Sequence, residues 1–194
     1  MISFIEPTGG TPLYQLKITL KYSQPKIWRR IVVPSDLKLN RLHEVIQRVM
    51  PWTDSHLHQF VVGRVYYGQP DSEFADPDSE TLNEKRFAIA DIAPGAKKKF
   101  IYEYDFGDGW EHEIVVEKVL PPDASFKRIV CLAGENACPP DDCGGIGGYY
   151  QMLEIIADPK HPDHKHMKEW LGGEWDRDQF DLALANDALK RFNI

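Results

Sequence analysis

The sequence predicts an α+β fold: an antiparallel or mixed sheet of about five or six strands, one N-terminal helix and a C-terminal helical set. Period-two alternation of apolar residues dominates the chain as far as Leu120. Helical spacing dominates after Tyr149. The adjacent Pro121 and Pro122 separate the two regimes. Strands first and helices last argue against alternating βαβ units. The 194 residues read as one domain, β-rich over 11–122, with a Cys/Pro/Gly loop and helices over 123–194.

Tyr14 to Tyr22 alternates strictly, with Tyr14, Leu16, Ile18, Leu20 and Tyr22 on one face and Gln15, Lys17, Thr19 and Lys21 on the other. A turn at Gln24-Pro25-Lys26 leads into a second strand, Ile27 to Val33, closed by Pro34. Asn40 can cap a helix whose apolar stripe is Leu42, Val45, Ile46 and Val49 and which Pro51 ends. Glu44 and Arg48 have the spacing of an ion pair on its wet side, and His43 can pack or point out. Leu57 to Tyr67 reads as a strand interrupted at Gly63, Gln69 to Glu84 as a polar surface excursion, and Arg86 to Ile92 as a weaker strand. Lys98 to Phe106 and Trp110 to Leu120 are the strongest strand pair. A loop from Cys131 to Gly148 precedes three helices. The first carries Tyr149, Met152, Leu153 and Ile156, the second lies between Pro162 and Gly172, and the last runs from about Asp178 to Phe192.

The turn Phe106-Gly107-Asp108-Gly109-Trp110 admits two registers. A three-residue loop pairs Phe106 with Trp110, Tyr104 with His112 and Phe100 with Val116, and gives one continuous apolar face. The opposite face then sets Glu103 against Glu113 and Asp105 against Glu111. Like charges so placed need compensation. Lys17, Lys21, Arg29 or Arg30 of the first two strands can supply it, making a salt-bridged face; a bound cation is the alternative.

Composition excludes several classes. Hydrophobic residues make up 42% and charged residues 27%, an ordinary globular balance. Apolar runs are too short for a membrane span, and the N-terminus lacks the features of a signal peptide. Three reduced cysteines fit a cytoplasmic chain. The net charge of −7 divides into +5 over residues 1–70 and −12 over 71–194, and does not support nucleic acid as a partner.

Candidate chemistry gathers in three places. His56 and His58 lie two apart at the start of a strand, where alternation puts them on one face, as in metal-binding pairs. Asp105, Asp108 and His112 flank the hairpin turn and are candidates for catalysis. Cys131, Cys138 and Cys143 have the spacing C-x6-C-x4-C, outside the usual zinc knuckle, so zinc ligands and plain reduced thiols are both open readings. The Gly144–Gly148 run lacks a Gly-Lys-Ser/Thr and follows Asp141-Asp142, so it reads as close packing rather than as a phosphate cradle. The Cys131–Gly148 loop is expected to fold back on the Phe106–His112 turn, bringing its acids near Asp108 into a pocket suited to a cation.

The segments Tyr104–His112, Trp52–Phe60 and Cys131–Gly145, with the Tyr14–Arg30 opening and the Phe180–Leu189 tail, resemble the plasmid pRiA4b ORF-3-like family over about Tyr14 to Leu189. The resemblance implies an α+β domain found in bacteria and archaea. Some members carry a label as the passenger protein of an insertion element, with a suggested recombinase role. Neither a serine nor a tyrosine recombinase constellation is visible in this chain. From these segments Trp52, His56, His58, Trp110, Asp141 and Asp142 stand out as candidate binding residues. Two functions follow as expectations. One is a binding or accessory module linked to mobile DNA. The other is a metal-assisted, hydrolase-like enzyme with a divalent cation at a His/Asp site on the Asp105–His112 hairpin.

Overall fold

A computed structural model describes residues 10–70 and 81–192. The fold is α+β. Its sheet is built from β1 (Leu13–Leu20), β2 (Trp28–Pro34), β3 (His58–Val62), β4 (Val65–Gly68), β5 (Thr81–Asn83), β6 (Lys99–Tyr104), β7 (Trp110–Leu120) and β8 (Val130–Glu135). The strand order is β5-β4-β3-β6-β7-β1-β2-β8. All neighbours are antiparallel except β4 and β5, so the sheet is mixed and has eight strands rather than five or six. Five helices accompany it: α1 (Leu39–Val49), α2 (Ile89–Ile92), α3 (Gly145–Ala157), α4 (His164–Trp170) and α5 (Leu182–Lys190). No helix among the described residues is long and apolar enough to cross a membrane.

Alternation puts Leu16, Ile18 and Leu20 of β1 on the same covered face as Phe100, Tyr102 and Tyr104 of β6 and Trp110, His112 and Ile114 of β7. The stripe Leu39, Leu42, Val45, Ile46 and Val49 of α1 closes that core. Lys38, not Asn40, is the N-cap of α1, and it contributes no side-chain cap. Glu44 pairs with Arg41 at 2.5 Å rather than with Arg48. At the far edge, Asn186 of α5 accepts from the backbone amide of Cys131 and donates to its carbonyl, satisfying an edge strand that would otherwise face solvent.

Several further expectations change. The interruption expected at Gly63 is a full reversal: Leu57–Tyr67 folds into the β3–β4 hairpin, with Gly63 at φ 62° in the bend. Arg86–Ile92 is not a strand: a 3-10 turn over Glu84–Arg86 leads into α2, which inserts Ile89 and Ile92 into the core. The Cys131–Gly148 loop begins later than expected, because β8 runs to Glu135 along β2. Within α3, Ile155 rather than Ile156 is buried. The excursion expected over Gln69–Glu84 lies largely outside the described residues, which resume at β5.

The β6–β7 register differs by two residues from the expected one. Tyr104 pairs with Trp110, Tyr102 with His112 and Phe100 with Ile114, so the loop spans five residues. The cause is Asp105. It turns at φ 54°, and its carboxylate Oδ1 accepts from the amides of Gly107 and Asp108 at 3.0 and 3.3 Å. Asp and Asn tolerate this conformation because the side chain bonds the turn backbone. The apolar face survives, since a two-residue slip preserves side-chain parity. On the other face Glu103 opposes Glu111, not Glu113. The expected compensation is present: Lys21 pairs with Glu111 at 2.5 Å and Arg30 with Glu117 at 2.6 Å, while Gln59 donates to Glu103.

Candidate metal centre

The β6–β7 turn, the Trp52–Leu57 segment and the Pro139–Gly145 segment converge at one end of the sheet. Each is pinned by a specific bond. The amide of Asp105 donates to the carbonyl of Leu57 at 2.9 Å. The indole of Trp52 donates to the carbonyl of Pro139, and Thr53 donates to Asp141 Oδ2 from both its amide and its hydroxyl. Asp108 Oδ2 accepts from the amide of Gly144 at 3.1 Å. Glycine is required here: a Cβ on Gly145, at φ 66°, would stand 2.3 Å from the carbonyl oxygen of Asp108. The Cys/Pro/Gly loop therefore folds onto the hairpin turn, and its glycines serve close packing.

This convergence brings His56, Asp105 and Asp142 together, with one donor atom of each within 4.8 Å of the others. His56 Nε2 lies 3.0 Å from Asp142 Oδ1 and 3.7 Å from Asp105 Oδ2. That nitrogen is buried, yet it makes no hydrogen bond, because neither carboxylate meets it in hydrogen-bond geometry. Asp105 is oriented through Oδ1 by the turn amides, which leaves Oδ2 toward His56. Asp142, at φ 59°, stands at the open side, with its side chain 69% exposed. Oδ1 of Asp141 is also buried and unpartnered. Donors about 2.1 Å from a cation sit about 3–4 Å from one another, so this set needs only a small closure to hold one. A nitrogen and two carboxylates suit a borderline divalent metal.

The other candidates go elsewhere. His56 precedes β3, so alternation does not align it with His58. His58 lies in the core, where it donates from Nε2 to the buried Glu84 at 2.9 Å and stacks on His43 with ring centroids 3.4 Å apart. His43 closes a ring of bonds. Its Nε2 donates to Asp54 Oδ1 at 2.6 Å, its Nδ1 accepts from the Tyr102 hydroxyl at 2.7 Å, Gln47 donates to that hydroxyl, and the amide of Asp54 donates to Gln47. The network assigns this tautomer. Burial, and then the neighbouring His58, lower the pKa of His43 to about 4. Gln47, Asp54, Glu84 and Tyr102 had no distinguishing spacing; only the run Asp54-Ser55-His56-Leu57-His58 signals a cluster.

His112 is fully buried against Trp52 and Tyr102. Backbone groups of Tyr102 and Trp110 attract a proton to its ring, but neither ring nitrogen has a partner in hydrogen-bond geometry. Desolvation wins and lowers its pKa to about 4. Trp110 and Trp52 wall the same aromatic cluster, 5.8 Å apart. The three cysteines are free thiols and join no group of three metal donors among the described residues. Cys131 lies on β8, burial raises all three thiols, and that of Cys143 is pushed up to about 12.

A protein of Sinorhizobium fredii (strain NBRC 101917 / NGR234), named uncharacterized protein y4hQ, is 39% identical over 173 residues, covering 89% of this chain and 85% of its own. The crystal structure of a protein of unknown function, MM3350 from Methanosarcina mazei Go1, superposes with a TM-score of 0.79 at 34% identity, over 90% of this chain and 97% of that one. The family model described as plasmid pRiA4b ORF-3-like protein matches residues 12–184, so this chain belongs to that family.

Proposed function

We propose that this protein binds a divalent cation through His56, Asp105 and Asp142, and that the cation serves metal-assisted hydrolysis at the hairpin end of the sheet. The observation that carries the reading is the buried Nε2 of His56, which makes no hydrogen bond yet lies between two carboxylates. A buried ring nitrogen costs free energy unless it has a polar partner. Coordination to a cation would supply one. Asp105 would be a ligand held in place by turn amides, as outer contacts hold metal ligands elsewhere. Three protein ligands leave coordination positions for water and substrate, and the exposed Asp142 marks the side from which they would enter. Asp108 and Asp141 add negative potential beside the site.

The competing reading is an accessory module acting on mobile DNA. The plasmid in the family's description favours it. The −12 balance of residues 71–194 and the acids at the site oppose it. Elemental analysis and calorimetric titration with Zn²⁺ and Mn²⁺ test the choice. Expected is one ion per chain, bound at least about tenfold more weakly in Asp105→Asn and in Asp142→Asn. Absence of cation binding, or tight and salt-sensitive binding of duplex DNA instead, would overturn the proposal.

A further inference from the structure

A second site lies apart from the hairpin end. A cavity of about 440 Å³ separates β2 and α1 from the segment over 174–188. That volume is in the range of small-molecule pockets. Val49, Phe180 and Leu184 give it apolar walls. Its charges are divided by element. Arg29 of β2 and Arg48 of α1 line one wall; Glu174, Asp176 and Asp181, all from the C-terminal segment, line the other.

These opposite charges share a cavity without meeting. Arg29 is 2% exposed, and its described partners are three carbonyls, of Val49, Trp28 and Glu135, with Phe180 stacked at 4.3 Å from its guanidinium carbon. Its Nη2 makes no hydrogen bond among the described residues. Arg48 has a buried Nε with no hydrogen-bond partner among the described residues, and its guanidinium carbon lies 5.9 Å from the Phe192 ring. On the far wall Glu174 pairs with Lys168, Asp176 bonds the amide of Asp178, and Asp181 caps α5 through Oδ1. No ion pair among the described residues crosses the cavity. A buried guanidinium without a carboxylate is costly, and a half-open apolar pocket with cations on one side and exposed acids on the other is complementary to a zwitterion.

We infer that this cavity binds a free α-amino acid with an apolar side chain, its carboxylate toward Arg29 and Arg48, its ammonium toward the acids of the 174–181 segment, and its side chain among Val49, Phe180 and Leu184. The inference does not depend on the metal centre. Calorimetric titration of the full chain with L-phenylalanine, L-leucine and L-methionine tests it. Saturable one-to-one binding of at least one of them is expected, about tenfold weaker in Arg48→Gln. Ala188→Trp, which fills the cavity from α5, is expected to abolish binding while leaving the circular dichroism spectrum unchanged. The singly charged 3-phenylpropionate and phenethylamine are expected to bind at least about tenfold more weakly than L-phenylalanine. Asp105→Asn is expected to bind the amino acid as the unaltered protein does, which separates this site from the metal reading. No saturable binding of any of the three, equal binding of a singly charged analogue, or undiminished binding by Ala188→Trp would overturn the inference.

Discussion

The molecule holds two histidine–carboxylate assemblies a few residues apart in sequence, and they differ in one respect. In the inner one, both nitrogens of His43 are bonded, His58 is paired with Glu84, and the two rings stack. In the outer one, His56 faces two carboxylates and its Nε2 bonds neither. Residue types do not separate a structural cluster from a functional one, since both have histidine and acid. Unspent bonding capacity does. The inner ring Asp54–His43–Tyr102–Gln47 returns to its own start, with both nitrogens of His43 already bonded. The outer group is held from behind, through Asp105 Oδ1, and is open in front.

The comparison is tested most severely by breaking the inner assembly. His58→Ala leaves the carboxylate of Glu84, 2% exposed, without its hydrogen-bond partner. An uncompensated buried charge costs about 3–5 kcal/mol, and urea denaturation should show a loss of that order. The double variant His58→Leu with Glu84→Leu should recover much of it, because replacing both partners of a buried polar pair by apolar side chains is often nearly neutral. A single variant as stable as the parent would show that the inner pair is not structural.

Acid should act next. His112 stays neutral in the folded chain down to about pH 4, whereas in the unfolded chain it takes a proton near 6.5. The unfolded state therefore binds more protons across that interval. Stability is intact above about pH 6.5, falls by about 1.4 kcal/mol per pH unit below it, and levels off below about pH 4. His43 titrates in the same direction. His112→Phe should flatten part of this slope. It should change stability at pH 7 by no more than about 1 kcal/mol, because both ring nitrogens it removes are unpartnered. An unchanged acid slope would mean that His112 is not the group responsible.

Much of the fold was legible, and the failures have physical causes. Apolar alternation constrains which face a residue takes, so every face of β6 and β7 was readable although the register slipped by two. The slip came from one backbone conformation, that of Asp105, which no apolar pattern encodes. The α2 segment read as a strand because Phe87, Ile89 and Ile92 are apolar, yet the three-residue step from Ile89 to Ile92 is helical. β8 was hidden because cysteine and glycine are weak strand signals. His56, Asp105 and Asp142 were each legible as chemistry-bearing residues, but their meeting was not. It depends on contacts between segments over eighty residues apart, such as Thr53 with Asp141. The inner network was the least legible part, since Gln47, Tyr102 and Glu84 sit at positions that an apolar residue could fill equally well.

The mildest variant is the sharpest discriminator between the two assemblies. His56→Ala removes a half-buried ring that makes no hydrogen bond. Lost contact with Tyr104, an edge-on packing at 5.7 Å, is the main cost. Metal-free protein should therefore lose less than about 1 kcal/mol, well below the loss in His58→Ala. Added cation should separate the two variants in the opposite sense. A ligand that binds only the folded state raises stability by RT ln(1 + [L]/Kd), about 2.7 kcal/mol when the ion is at 100 times its Kd. The parent should show that rise in thermal melts with Zn²⁺ or Mn²⁺. His58→Ala, whose outer assembly is intact, should show it from a lower starting point, and His56→Ala should not show it at all. A cation-dependent rise that survives in His56→Ala would place the ion elsewhere and leave the outer group as an unusual surface ion pair.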